Sequence, residues 1–223
     1  MFSKSVFDTV IKEGNDECNY EITTLWNGEK ISTNPVLINF KYKGIERNGL
    51  LEKNYLYITF EAPFYDDPFP ENFAGYTPGL WNYEVVEFFF SNNQGQYIEI
   101  ELGPHGHWLI YAFDDYRKIR NNCEEVELNV ENSILPDDTW KCVVGVPLGL
   151  LPINVSKFNA YHIHGKEPQR TYEALFPSTD KDQKEPDFHK LEYFKKFNTK
   201  TIFPSNFSEL QKDDIENSYI WNL

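Results

Sequence analysis

From Val36 to Pro177 the chain alternates apolar and polar residues in short runs, about one run every ten residues. A period of two puts successive side chains on opposite faces of a β-strand. VLINFKY (36–42) and YLYITFEA (55–62) predict two strands joined by the polar linker KGIERNGLLEKN. EVVEFFFS (84–91) and GQYIEIEL (95–102) predict a hairpin around SNNQGQ, and HWLIYAF (107–113) continues the meander after GPHG. EEVELNV (124–130), WKCVVGVP (140–147), KFNAYHIHG (157–165) and QRTYEALFP (169–177) supply further strands. Helical patterning is confined to short pieces. LGLLPINVS (148–156) reads as a turn or helix broken by Pro152, and HKLEYFKKF (189–197) as one amphipathic turn or an aromatic segment packed on the core. SNFSELQKDDIENS (205–218) carries a capping signal, Ser208 with Gln211 three residues on. The expected fold is all-β: an antiparallel β-sandwich of jelly-roll or immunoglobulin-like type with short peripheral helices. Residues 19–200 form the sandwich domain, 1–18 an N-terminal extension, and 201–223 a C-terminal tail packing on or near it.

Composition narrows the functional classes. Eighteen Phe and 14 Tyr stand against a single Met, a bias toward large rings that suits sandwich cores. The net charge of −14 argues against nucleic acid or an anionic membrane as partner, since both would repel the chain. Lysines concentrate in KDQKEPDFHKLEYFKKFNTK, which reads first as a solvated face and second as an anion site. Cys18, Cys123 and Cys142 are odd in number and widely spaced, without a CxxC pair, so neither zinc nor a disulfide framework is suggested. No secretory leader or membrane-length apolar run is visible, and a reduced, cytoplasmic setting is expected. No phosphate loop, nucleophile elbow or HExxH motif occurs, and no cofactor is indicated. Haem ligation by a Met/His pair is ruled out in practice because the only Met is Met1, while bis-His ligation stays open.

The informative chemistry lies in residues 81–110. Glu87 interrupts VVEFFF, and Glu99 and Glu101, two apart, project from one face of their strand while Ile98, Ile100 and Leu102 fill the core. Ionised carboxylates at apolar positions are costly unless paired or hydrogen-bonded. Such groups can bind sugar hydroxyls, coordinate Ca²⁺ or form an acid/base pair. For Glu99 and Glu101 a row of solvent-facing glutamates, some paired with Arg170 or Lys residues, is at least as good a reading; Glu87 is the better candidate for a constrained group. The long loop PFYDDPFPENFAGYTPGL (63–80) is rich in aromatics, which either stack on a ligand or cap the sandwich. Capping is the better reading for its Phe residues, ligand contact for Trp81 and Tyr83. Arg170 and Tyr172 share a face; Arg170 clamps a ligand anion or, the preferred reading, neutralises Glu87 or Glu101.

WNYEVVEFFFSNNQGQYIEIELGPHGHWLI, KFNAYHIHG and RTYEALFPSTDKDQKEPDFHKLEYFKKF, with CNYEITTLWNGEKISTNPVLINF near the start, closely resemble an uncharacterised family typified by the chromosome-four open-reading-frame-thirty-three protein. The resemblance covers roughly residues 19–200 and implies kinship without an activity. More distantly, Trp81, Val86, Glu87 and Phe89 followed by Tyr97, Glu99, Glu101, Pro104 and Gly106, with a late Pro186-Asp187-Phe188-His189, resemble family-9 carbohydrate-binding-module-like and DOMON-like sandwiches. That likeness implies two antiparallel sheets and a sugar or, in some DOMON cases, haem as ligand. Among the histidines, His105, His164 and His189 occupy motif positions in the family; His107 and His162 do not, which breaks up the two H-x-H pairs and weakens a metal reading. The metal question therefore stays open.

The functional expectation is a binding protein for a saccharide or other small polar ligand, with no catalytic set assigned. Trp81 and Tyr83 border the ligand, and Glu84, Glu87, Glu99, His105, His164, Arg170 and His189 supply directed hydrogen bonds. The alternatives are a sugar-active enzyme using paired glutamates and a protein-interaction scaffold. Oligomeric state is not legible.

Overall fold

Two antiparallel sheets face each other across an apolar layer in the computed structural model, which describes residues 9–47 and 50–221. The first sheet holds β1 (Thr9–Ile22), β3 (Val36–Arg47), β4 (Leu50–Pro63), β11 (Thr139–Pro147) and β10 (Val130–Ile134), in that spatial order. The second runs β2 (Thr24–Leu25), β13 (Thr171–Ala174), β12 (Lys157–His164), β6 (Val85–Ser91), β7 (Tyr97–Leu102), β8 (His107–Asp115) and β5 (Gly75–Tyr76). Two short strands join it: β14 (Lys195–Lys196) beside β12, and β9 (Lys118–Asn121) beside β8. The predicted all-β sandwich is the observed fold. β5 is the exception in direction, lying parallel to β8.

The core between the sheets follows the alternation. Ile38, Phe40, Leu56, Ile58 and Phe60 from one sheet meet Val86, Phe88, Phe90, Ile98, Ile100 and Ile110 from the other. Phe40 sits among Phe88, Phe158 and Phe197 with ring centroids 5.4–6.0 Å apart at steep angles, the edge-to-face arrangement that aromatic quadrupoles favour. Trp140 packs edge-on against Phe60 at 4.8 Å and donates its indole N–H to Asn132 Oδ1 at 2.8 Å.

The opposite face of the second sheet is also covered, and this explains VVEFFF. Every residue of β6 is buried. Val86, Phe88 and Phe90 face the main core, whereas Val85, Glu87 and Phe89 face a second apolar layer. That layer includes Tyr97, Phe113, Tyr161 and Phe194, partly roofed by Phe188, whose ring stacks on Tyr161 at 3.7 Å. A strand buried on both sides reads as a nearly continuous apolar run.

Several boundaries differ from the sequence expectation. Residues 9–18 are not an extension apart from the domain: β1 begins at Thr9 and pairs with β3 from Thr9↔Arg47, taking up a bulge between Glu13 and Glu17. The 43–54 linker is largely hairpin, because β3 and β4 keep pairing to Arg47↔Leu50. Residues 124–129 are not a strand, although Val126 and Leu128 are buried; ladder pairing on that edge starts at Val130. Helix α1 (Thr199–Ile202) precedes α2 (Phe207–Asp213) and α3 (Ile215–Ser218). α2 is capped at Asn206 without a side-chain bond, and Gln211 does not serve a capping box. Instead its buried amide points toward the carbonyls of Leu148, Leu151 and Pro152, the nearest at 3.1 Å.

Candidate functional site

A cavity of about 950 Å³ opens on the outer face of the second sheet. Its floor is the β6–β7 hairpin. Antiparallel pairing sets Glu87 directly opposite Glu101, and Glu99 stands two residues along the same face. Glu87 and Glu99 reach the cavity, Glu101 lies beneath them, and oxygens of all three fall within 4.8 Å of one another. None is solvent-facing: Glu101 is completely buried, Glu87 and Glu99 nearly so. The expectation of exposed glutamates at 99 and 101 is thereby overturned, since the outer layer covers the face they occupy.

Burial sets their electrostatics. Desolvation, with the neighbouring Glu99 charge, holds Glu87 well above the usual carboxylate range, and Arg170 offsets only part of this. Glu99 is pushed up to about 8 by burial, moderated by Arg117. Glu101 is raised by burial, by the charges of Glu87 and Glu99 and by a hydrogen bond shared with the Glu99 carboxyl; among the described residues no donor outside the triad reaches its oxygens.

The walls are aromatic and basic. On one side stands the 3₁₀ turn Leu80–Asn82 with Trp81 and Tyr83; on the other, Tyr111, Phe113 and Arg117 from β8 and the turn after it. Arg170 and Tyr172 close a third side, and Phe188 and His189 a fourth. Among the described residues Arg170 forms no ion pair with a glutamate. Its guanidinium donates to the carbonyls of Trp81, Asn82 and Tyr83 at 2.7–2.8 Å, so its main role is to fix the turn that presents Trp81. Arg117 pairs with Asp187 at 3.0 Å and thereby ties the β8–β9 turn to the 185–189 segment. His189 Nδ1 lies 2.8 Å from the Tyr97 hydroxyl, whose oxygen also accepts the Arg117 backbone N–H. Burial, with the Arg117 charge, lowers His189 to about 4.

Six of the nine sequence-chosen residues, Trp81, Tyr83, Glu87, Glu99, Arg170 and His189, line this cavity. The other three do not. Glu84 turns away and accepts the backbone N–H groups of Tyr65 (3.0 Å) and Asp67 (3.5 Å), anchoring the 63–80 loop. Burial pushes it up to about 7 despite those bonds. His105 lies in a separate narrow cleft under that loop, packed by Phe69 and Phe64. His164 points to the opposite face of the sheet, because even-numbered residues of β12, from Phe158 onward, face inward while Tyr161 and Ile163 face the outer layer. There the Glu173 carboxylate spans His162 Nδ1 (3.0 Å) and His164 Nε2 (3.4 Å), with Tyr65 stacked on His164 at 3.6 Å. Burial alone would raise Glu173, but the two imidazoles outweigh it and hold it at about 2. These three groups could also ligate a metal: Glu173 bridges the two imidazoles, while His162 Nε2 is buried without a hydrogen-bond partner among the described residues.

Tyr111, Phe113 and Phe188 were missed as cavity residues. The first two share the parity of Leu109 on β8 and were legible as a face; Phe188 sits within the Pro186–His189 element. Arg117 had no local signal, since only the β8–β9 turn brings it to the cavity. The loop phenylalanines do not all cap the sandwich: Phe64 packs on the core, whereas Phe73 is 97 % exposed.

Fold and cavity together define a two-sheet sandwich with a concave polar-aromatic site on its larger sheet. The same fold occurs in a Bacteroides uniformis crystal structure described as a candidate carbohydrate-binding protein, with a TM-score of 0.53 and 16 % identity over 79 % of this chain and 83 % of that one. In sequence the chain is 33 % identical over 204 residues to the human UPF0462 protein C4orf33, spanning 87 % of this chain and 95 % of that protein. It is 34 % identical over 211 residues to the C4orf33 homolog of Danio rerio, spanning 92 % and 98 %. The chain belongs to the UPF0462 C4orf33 family. No family model matches the sequence.

Proposed function

We propose that the cavity binds a saccharide or another small polar ligand of similar shape. The observation that carries this reading is one recess combining exposed indole and phenol rings with buried carboxyls and guanidinium groups. Its volume of about 950 Å³ lies within the range of small-molecule sites. Trp81, 43 % exposed and 6.2 Å from Tyr111, offers an apolar face for a sugar ring. Glu87 and Glu99 offer oxygens to its hydroxyls, as donors when protonated and acceptors when ionised. The structural neighbour's description agrees with this reading. The free Cys18, Cys123 and Cys142 are compatible with a cytoplasmic location, which belongs to the same proposal. So does the absence of nucleic acid and membrane from the proposed partners, on grounds of charge; among the described residues no helix is long and apolar enough to cross a membrane.

The test is a glycan-array and calorimetric screen with Trp81→Ala as control. Millimolar or tighter binding of a mono- or oligosaccharide, weakened at least tenfold in Trp81→Ala, is the expected result. Absence of any binding at millimolar concentration removes the proposal. A hydrolytic reading is favoured by one observation: Glu87 and Glu99 both face the cavity, and raised proton affinity there suits a general acid, the other carboxyl having to ionise to serve as base or nucleophile. Turnover of chromogenic glycosides or sugar phosphates that is lost in Glu87→Gln would establish it; wild-type turnover at background leaves the binding reading.

A further inference from the structure

Like charges directly opposite on paired strands repel, and here a third carboxylate joins them where little water reaches. Folded sheets keep such groups only when protons or cations offset the charge. The obvious internal cations are engaged elsewhere: Arg117 binds Asp187 and Arg170 binds the carbonyls of the Trp81 turn. Among the described residues no donor group from outside the triad reaches either oxygen of the fully buried Glu101, whose carboxyl is aimed at Glu87 and lies within hydrogen-bonding reach of Glu99.

We propose that Glu87, Glu99 and Glu101 form a binding site for a divalent cation of the calcium type. The donors are all carboxylate oxygens, the set preferred by hard cations; no imidazole or thiolate joins them, as zinc would favour. Ligand oxygens within 4.8 Å fit a Ca²⁺ shell, which at bond lengths of about 2.3–2.6 Å is roughly 5 Å across. A Mg²⁺ shell, about 4 Å across and strictly octahedral, fits three groups fixed on a rigid hairpin less well. Calcium takes six to eight oxygens, so three carboxylates leave positions open, and Glu87 and Glu99 border the cavity from which water can fill them. The site stands on the triad alone and holds whether or not a saccharide binds; where one does, its hydroxyls can take the open positions.

The experiment uses the full chain after EDTA treatment, in buffer free of sugar near pH 7.5. Two signals are read: the thermal midpoint with and without 1–5 mM CaCl₂ (about that range), and Tb³⁺ luminescence sensitised by the nearby Tyr and Trp rings and displaced by CaCl₂. Wild type is expected to gain several degrees with calcium and to show saturable, calcium-displaced luminescence. Glu101→Gln removes the deepest charge without changing shape; it is expected to melt higher than wild type in EDTA and to lose the calcium response at least tenfold. Glu99→Gln, nearer the cavity, gives the same loss should Glu101→Gln fold poorly. Asp182→Asn, on the exposed surface, retains the wild-type response. No calcium shift and no luminescence in wild type overturns the proposal, as does an undiminished response in both glutamine variants, which would place the ions on the acidic surface. A larger shift with MgCl₂ than with CaCl₂ overturns the calcium assignment. Because no saccharide is present, failure here leaves the saccharide reading untouched, and a failed glycan screen leaves this one untouched.

Discussion

Tyr97 receives the Arg117 backbone N–H on its hydroxyl oxygen, which frees the phenolic proton for His189 Nδ1. The network thus assigns the neutral Nε2–H tautomer to His189. Its folded-state value of about 4 lies below the usual histidine value near 6.5. The unfolded chain therefore takes up this proton more readily as pH falls. The stability that His189 contributes is complete above about pH 6.5 and is lost as pH drops toward 4. Nitrogen-detected NMR should find this ring neutral at pH 5.5, and Tyr97→Phe should move its titration back toward 6.5. A wild-type His189 titrating near 6.5 would refute the assignment. Single residues show how unevenly a sequence exposes such detail. Glu87 stood out because it breaks an apolar run. Glu101, the more deeply buried group, looked no different from a surface glutamate, because the second apolar layer that covers this face of the sheet is assembled by tertiary packing and leaves no local signal. His164 was misplaced for the complementary reason: parity along β12 defines two faces, but which of them meets the cavity depends on tertiary packing.

At the scale of elements, the turn Leu148–Leu150 shows how closely the helices dock. A Cβ added at Gly149 would fall 2.7–2.9 Å from the Ser218 nitrogen and from Asp214 atoms, and backbone of that kind cannot swing aside. The Gly149 N–H meanwhile donates to Asp214 Oδ2 at 2.9 Å. Gly149→Ala should therefore cost about 1–3 kcal/mol, read as a lower urea midpoint with an unchanged slope. An unchanged midpoint would mean that α3 docks more loosely than the structure has it. Strand existence was legible for most runs between Val36 and Pro177, where alternation survives, but not for β1 (Thr9–Ile22), and strand ends were not legible. β3 and β4 pair through a segment whose composition suggests a loop, because backbone bonds to a neighbouring strand do not need apolar side chains. Residues 124–129 show the converse, an alternating segment that lacks a ladder yet buries Val126 and Leu128.

For the whole molecule, the C-terminal segment is part of the core. Ile202, Phe203, Leu210, Ile220 and Trp221 are all buried in the main apolar cluster, and the Trp221 indole donates to the Leu150 carbonyl at 3.0 Å. Each such side chain contributes about 1.5–3 kcal/mol, and together they rival the 5–15 kcal/mol by which domains are stable. A chain ending at Lys200 should fail to show a cooperative thermal transition; a sharp one near the wild-type midpoint would show the segment to be dispensable. β12 has a further implication for how this protein can vary. It carries Tyr161 and Ile163 toward one apolar layer while His162 and His164 meet Glu173 on the other side. Inserting or deleting one residue there would exchange the two chemistries, driving imidazoles into the outer cavity and stranding a lone carboxylate inside. Changes in length should thus be admissible only beyond the strand's ends, such as in the exposed 166–169 stretch, and the count of residues in β12 is as much a part of the site as their identity.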